Sequence, residues 1–225
     1  MNKYFSEFLG TFALAFAGTG AIVINTATNG AVSHAGIALT FGLIVLAMIY
    51  TFGDVSGAHL NPAVTMAFTL ARRFGWREVP AYLASQISGA FVASGLLRLL
   101  FPSDATLGAT LPAGSVIQSF VLETVLTCLL MLVILSVSTG AKEKGITAGI
   151  AIGAVVALEA MFAGPICGAS MNPARSLAPA VVSGNLQHLW IYLVATTLGA
   201  ILAVPVCCGV RGTECCGRSL TRAES

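Results

Sequence analysis

The chain has 225 residues, 56% of them hydrophobic and only 9% charged, with a formal net charge of +2. Soluble domains carry about 25% charged residues, so this composition, with a mean hydropathy of +0.89, excludes an ordinary water-soluble domain. The net charge alone says little about partners, and no nucleic-acid partner is expected.

A membrane-spanning helix needs about 20 largely apolar residues. In chain order the sequence offers six such windows, near 4–25, 35–53, 79–100, 115–137, 146–163 and 187–208. Two further apolar stretches, 61–70 and 172–182, are about half as long. The runs are rich in Leu, Ala and Gly and lack the alternation of a membrane β-barrel, which predicts an all-α membrane protein. Lys3 before an apolar run imitates a signal peptide, but Glu7 interrupts the run and no cleavage site follows, so 4–25 is read as the first span.

Basic residues collect on one side of these spans: Lys3, Arg72, Arg73, Arg77, Lys142, Lys144, Arg211, Arg218 and Arg222. Segments 26–34 and 101–114, on the other side, contain no Lys or Arg. The positive-inside rule then places both termini in the cytoplasm, with the tail 209–225 on that face. Of six cysteines, Cys128 and Cys167 sit in or beside spans, and Cys207-Cys208 and Cys215-Cys216 form two vicinal pairs at the cytoplasmic end. Four thiols there could bind zinc or carry lipid. The pairs lack Cys-x-x-Cys spacing and face a reducing compartment, so reduced thiols are expected. His34, His59 and His188 are scattered, and no metal, cofactor or nucleophile constellation appears, which points away from an enzyme.

Asn-Pro-Ala occurs twice, at Asn61-Pro62-Ala63 and Asn172-Pro173-Ala174, in similar surroundings: Ser56-Gly57-Ala58-His59-Leu60 precedes one, Cys167-Gly168-Ala169-Ser170-Met171 the other. The chain therefore reads as one transmembrane channel domain of two repeats, about 4–100 and 115–208, each with three spans and one half-length segment. Three spans is an odd number, so the repeats enter the membrane with opposite orientation, and a functional site belongs at their interface near the midplane.

A ten-residue helix rises about 15 Å, half of the hydrocarbon core. Two of them, entering from opposite faces, meet at the centre. Asn is a favoured N-cap and Pro a favoured first helical residue, so each motif marks a half-helix N-terminus. Each end carries about half a positive charge, which together repel cations and protons while offering hydrogen bonds to neutral solutes. Non-helical backbone at membrane depth is tolerated where it is buried or lines a watery cavity. The stretches 56–60 and 164–171 are therefore predicted to be extended, with carbonyls of Gly57, Ala58, His59, Leu60, Gly168, Ala169, Ser170 and Met171 forming an acceptor ladder.

These residues resemble the aquaporin family of major intrinsic proteins, from Glu7 to about Cys208. Phe162-Ala163-Gly164-Pro165 and the run Ala105 to Ser115 are similar to the nodulin-26-like branch. The resemblance implies six tilted helices plus two half-helices, and one pore in each protomer of a tetramer. It also implies passage of water, glycerol or uncharged metalloid acids. Arg175 follows the second motif, and an arginine at membrane depth is functional by default. The resemblance places it in an outer constriction with Phe41, Ala160 and Ala169. Water-selective members usually carry His where Ala160 stands and a bulkier or polar residue at Ala169. Two alanines imply a wider, more apolar constriction. Ser176 and Ala180, however, depart from the glycerol-facilitator pattern.

Glu7 and Glu123 open the first spans of their repeats and resemble the family's paired glutamates. A buried carboxylate must be hydrogen-bonded, and both are expected to hold the irregular loops. Glu159 adjoins Ala160 and is expected to turn from the pore and bond a helix or loop. Cys167 is read either as vestibule-lining, hence open to mercurials, or as buried. Small residues such as Gly89-x-x-x-Ala93 and Gly149-x-x-x-Gly153 are expected at helix contacts. The expected function is a passive channel in the cell membrane. The alternatives are a strictly water-selective channel, a proton-coupled transporter using Glu159, and a non-conducting scaffold.

Overall fold

The computed structural model describes residues 2–138, 142–212 (the first five without their side chains) and 215–216. Eight α-helices run in chain order: α1 (Asn2–Ala27), α2 (Ser33–Ser56), α3 (Pro62–Leu70), α4 (Val79–Leu100), α5 (Val116–Val137), α6 (Lys142–Cys167), α7 (Pro173–Ser183) and α8 (Leu189–Arg211). A short 3-10 turn, Trp76–Glu78, leads into α4. Six of these helices are long and apolar enough to cross a membrane, and α3 and α7 are half-length. Arg218 and Arg222 lie outside the described residues.

The sixfold pattern is two copies of one threefold pattern. α1 packs on α4 as α5 packs on α8, and α2 meets α6 between the repeats. Each short helix crosses over: α3 of the first repeat lies on α8 of the second, and α7 lies on α4. Close approach within each repeat depends on glycine. A Cβ on Gly89 would collide with the Phe8 carbonyl, and one on Gly199 with the Thr124 carbonyl. At the junction a Cβ on Gly42 would strike the Gly153 carbonyl, and one on Gly153 the Gly42 carbonyl. Packing of helices in a bilayer rests on such small residues, since lipid tails are as apolar as leucine. Leu99, Ile117 and Val210 point outward with 76%, 77% and 75% of their surface free, as a lipid-facing shell requires.

One boundary differs from the sequence expectation. The fifth span does not stop at 163 but continues to Cys167 with Pro165 inside the helix, so 164–167 are helical and the irregular stretch is only 168–171. Proline lacks the N–H that would bond the carbonyl four residues back. Here that carbonyl, on Met161, accepts from His34 Nε2 at 2.7 Å. A residue from the other repeat thus satisfies the group that proline orphans.

The cysteine pairs also differ. Cys207 is bonded to Cys215 and Cys208 to Cys216, not reduced as expected. The chain returns past Arg211 so that each pair repeats at a separation of 8 residues, with Cα–Cα distances of 5.8 and 6.6 Å, within disulfide reach. Lys3, Arg73 and Arg211 gather at the same end of the bundle, where Lys3 pairs with Glu78 at 2.8 Å. Arg98 is at the opposite end, absorbed by the carbonyls of Pro102 and Asp104.

Candidate functional site

The two irregular stretches have one conformation. Gly57, Ala58 and Leu60 have φ of 83, 45 and 51°, and Gly168, Ala169 and Met171 have 85, 41 and 54°. Left-handed backbone at a residue with a Cβ costs about 1 kcal/mol or more, so four such non-glycine residues need support.

Buried carboxylates hold both stretches. Glu7 accepts from the His59 amide at 2.9 Å and the Leu60 amide at 2.7 Å, and Glu123 accepts from the Ser170 amide at 2.8 Å and the Met171 amide at 3.0 Å. Both glutamates are fully buried and lie off the cavity wall. Glu7 also accepts from Ser56 Oγ at 2.8 Å and Gln86 Nε2 at 2.8 Å. Tying the N–H groups to glutamate leaves the carbonyls of the same peptides free to turn the other way.

The half-helices begin as their sequence dictates. Asn61 is extended, with φ −157°, and its side-chain oxygen accepts from the Ala63 amide. Asn172 does the same, with φ −150°, for Ala174 and Arg175. Pro62 and Pro173 stand at the first helical positions. Ala63 and Ala174 are buried in the helix packing rather than exposed to the cavity. The amide nitrogens then cross between repeats: Asn61 Nδ2 donates to the Met171 carbonyl at 2.7 Å, and Asn172 Nδ2 to the Leu60 carbonyl at 2.9 Å. Each –NH2 has a second hydrogen left for the lumen.

A cavity of about 730 Å³ passes this crossing. At one end it meets Asp54, Arg73 and Ser138, and at the other Phe41, Ala160 and Arg175. One wall is apolar, including Val45, Val64, Ile152 and Val156. The other carries the irregular backbone and both asparagines. Of the eight expected carbonyl residues, Gly57, Ala58, His59, Leu60, Ala169, Ser170 and Met171 line the cavity, and Gly168 does not. Gly168 instead packs its Cα against Thr110, where a Cβ would crowd that side chain.

Arg175 is 2% exposed, with its guanidinium 5.1 Å from the centroid of the Phe41 ring. Its Nη1 donates to the Gly108 carbonyl at 2.9 Å, while Nε has no hydrogen-bond partner among the described residues. Phe41 has room because Gly18 of α1 faces its ring. Ser176 bridges Thr110 at 2.8 Å and Ser170 at 2.5 Å, tying α7 to the loop before α5.

Glu159 is 2% exposed and off the cavity wall. The expected bond to a helix or loop is missing: neither carboxyl oxygen has a partner among the described residues. The sequence puts it on the buried stripe of α6 with Val156 and Ala163. Cys167 is fully buried and donates to the Ala163 carbonyl at 3.5 Å, so the vestibule reading fails. The His59 ring contacts Phe68, Phe74 and Tyr82 and bonds Thr65 Oγ1 at 3.1 Å.

The sequence reading missed Gln86, Gly108 and Thr110. Gln86 carried a usable signal, as a long amide inside an apolar span. The role of the Gly108 carbonyl depends on loop geometry that no residue type announces.

Residues 1–206 match the major intrinsic protein family. Aquaporin NIP1-1 of Oryza sativa subsp. japonica is 46% identical over 226 residues, covering 100% of this chain and 80% of that protein. Aquaporin NIP1-4 of the same plant is 49% identical over 201 residues, covering 89% and 73%. Aquaporin NIP1-2 of Arabidopsis thaliana is 44% identical over 233 residues, covering 100% and 79%. Among solved structures, the aquaglyceroporin from Plasmodium falciparum superposes with a TM-score of 0.80 at 28% identity, covering 90% of this chain and 93% of that one.

Proposed function

The chain belongs to the major intrinsic protein, or aquaporin, family, and from that membership and the cavity we propose that it conducts water and small uncharged hydroxylated solutes, such as glycerol or metalloid acids. The observation that carries this is the two-sided cavity. An apolar wall lies opposite a line of backbone acceptors broken by two asparagine amides. A solute with a hydrocarbon edge and a hydroxyl edge fits both walls at once. Water alone would need only the polar one.

Ion exclusion comes from two places. The opposed N-termini of α3 and α7 put positive potential at the centre, and Arg175 adds a full positive charge toward the Phe41 end. A cation that sheds hydration water to pass these positive groups would find nothing there to replace it. Phe41, Ala160, Ala169 and Arg175 form the solute-selecting constriction in this reading, with the alanines widening it.

Proton-coupled transport has less support, because its candidate residue, Glu159, does not line the cavity. We assign the chain to the cell membrane as a homotetramer with both termini cytoplasmic. The gathering of Lys3, Arg73 and Arg211 at one end supports that orientation.

Stopped-flow light scattering on proteoliposomes tests the function. Water and glycerol permeability should exceed that of empty liposomes and be unaffected by a proton gradient. Traces equal to empty liposomes for both solutes would remove the proposal; uphill, gradient-driven flux would replace it with coupled transport.

A further inference from the structure

We propose that Cys208, Cys215 and Cys216, with Cys207 beside them, form a site for a soft metal ion of the Zn2+ class that fills when the two disulfides are reduced. The sulfurs of Cys208, Cys215 and Cys216 lie within 4.8 Å of one another. Cys207 is bonded to Cys215, which puts its sulfur beside the group of three, on the edge of the cluster. In a tetrahedral thiolate site with Zn–S near 2.3 Å, sulfurs stand about 3.8 Å apart. The cluster is already close to that scale. A single vicinal pair on one turn of helix supplies only two sulfurs, too few for a tetrahedral thiolate site. Here the returning chain brings a second pair onto the first.

The surroundings suit a preformed site. Cys207 and Cys215 are fully buried in the apolar core, and Cys208 and Cys216 pack against it. Arg211 fixes the end of α8 by donating from Nε to Ser136 Oγ at 3.1 Å. The C-terminal end of α8 adds partial negative potential, which favours a bound cation.

The chemistry balances with an external dithiol as reductant. Each disulfide accepts two electrons and two protons from one dithiol molecule, which leaves as its own disulfide. Binding of Zn2+ by four thiols then releases four protons and leaves a thiolate complex of charge −2. Hard cations such as Mg2+ have no reason to bind sulfur.

The full chain in detergent, reduced with a dithiol and desalted under nitrogen, is titrated with Zn2+ against a chromophoric chelator. About one ion per chain should bind, and none in the oxidised protein. Bound Zn2+ should shield the four tail cysteines from maleimide, while Cys128 and Cys167 keep the reactivity they have without metal. Cys208→Ser, Cys215→Ser and Cys216→Ser should each weaken binding about tenfold or more, whereas Cys128→Ser should not. Absence of stoichiometric uptake by the reduced protein would overturn the proposal. So would uptake that survives replacement of all four cysteines by serine. The maleimide pattern is read on the unsubstituted chain, so it decides the matter even if a variant aggregates. Solute flux is read separately, so failure here leaves the channel reading standing.

Discussion

The side-chain amide of Asn61 donates to the carbonyl of Met171, on the opposite repeat, at 2.7 Å. Asn172 returns the bond to Leu60 at 2.9 Å. Each asparagine therefore does three things: it caps its own half-helix, fixes a left-handed residue of the other repeat, and presents one N–H to the lumen. The two repeats are stitched along the cavity rather than merely packed there.

Asn61→Asp separates these roles. The carboxylate still caps Ala63 but cannot donate to Met171, and it puts negative charge between the helix ends. Proton leak, followed with a pH-sensitive dye inside proteoliposomes, should rise about tenfold or more, since one added negative charge offsets the two half-charges of the helix termini. Leak unchanged from the parent would remove the asparagine crossing from the barrier.

Ala160→His tests the constriction proposed at Phe41, Ala160, Ala169 and Arg175. The imidazole adds bulk and polarity to a wall now formed by a methyl group. Glycerol permeability should fall about tenfold, the scale expected for a poorly fitted carbon skeleton, and water permeability far less. An equal loss of both would show simple blockage.

Glu7→Gln should destabilise the protein by about 2–3 kcal/mol, because one side-chain oxygen becomes a donor facing donors. The amide would point at Leu60 N and Gln86 Nε2, or at Ser56 and His59 N. Glu123→Gln should do the same for Ser170 and Met171. Thermal unfolding in detergent, followed by loss of the monodisperse peak, measures both. Unaltered melting would mean that the loops keep their shape unaided.

Gly89→Ala and Gly199→Ala should each cost about 1–3 kcal/mol through overpacking, because the obstacle is a carbonyl, on Phe8 or Thr124, that cannot rotate away. Gly95→Ala, where no atom lies within 4 Å of the added carbon, is the control. Comparing folded yields of the three proteins checks the claim.

Much of the fold was legible in the sequence because a bilayer leaves few options. Apolar length sets the spans, and Asn-Pro sets the half-helix starts. The end of the fifth span was not legible. Pro165 argues for a stop, and only His34, 127 positions from Met161, explains why the helix goes on. The disulfides were missed for a related reason: spacing along the chain says nothing about a return past Arg211. Glu159 shows the opposite limit. Chemistry demanded a partner for it, and the folded chain supplies none among the described residues.

The crossing of α3 onto α8 and of α7 onto α4 bears on how the protein is made. When the ribosome has delivered only the first hundred residues, the dipping segment before Asn61 has no floor, since Met171 and α8 do not yet exist. The early half must wait in the bilayer with strained peptides unsupported by its twin. Glu7 can hold the first loop from within its own half, but the two asparagine amides find their carbonyls only once both halves are present.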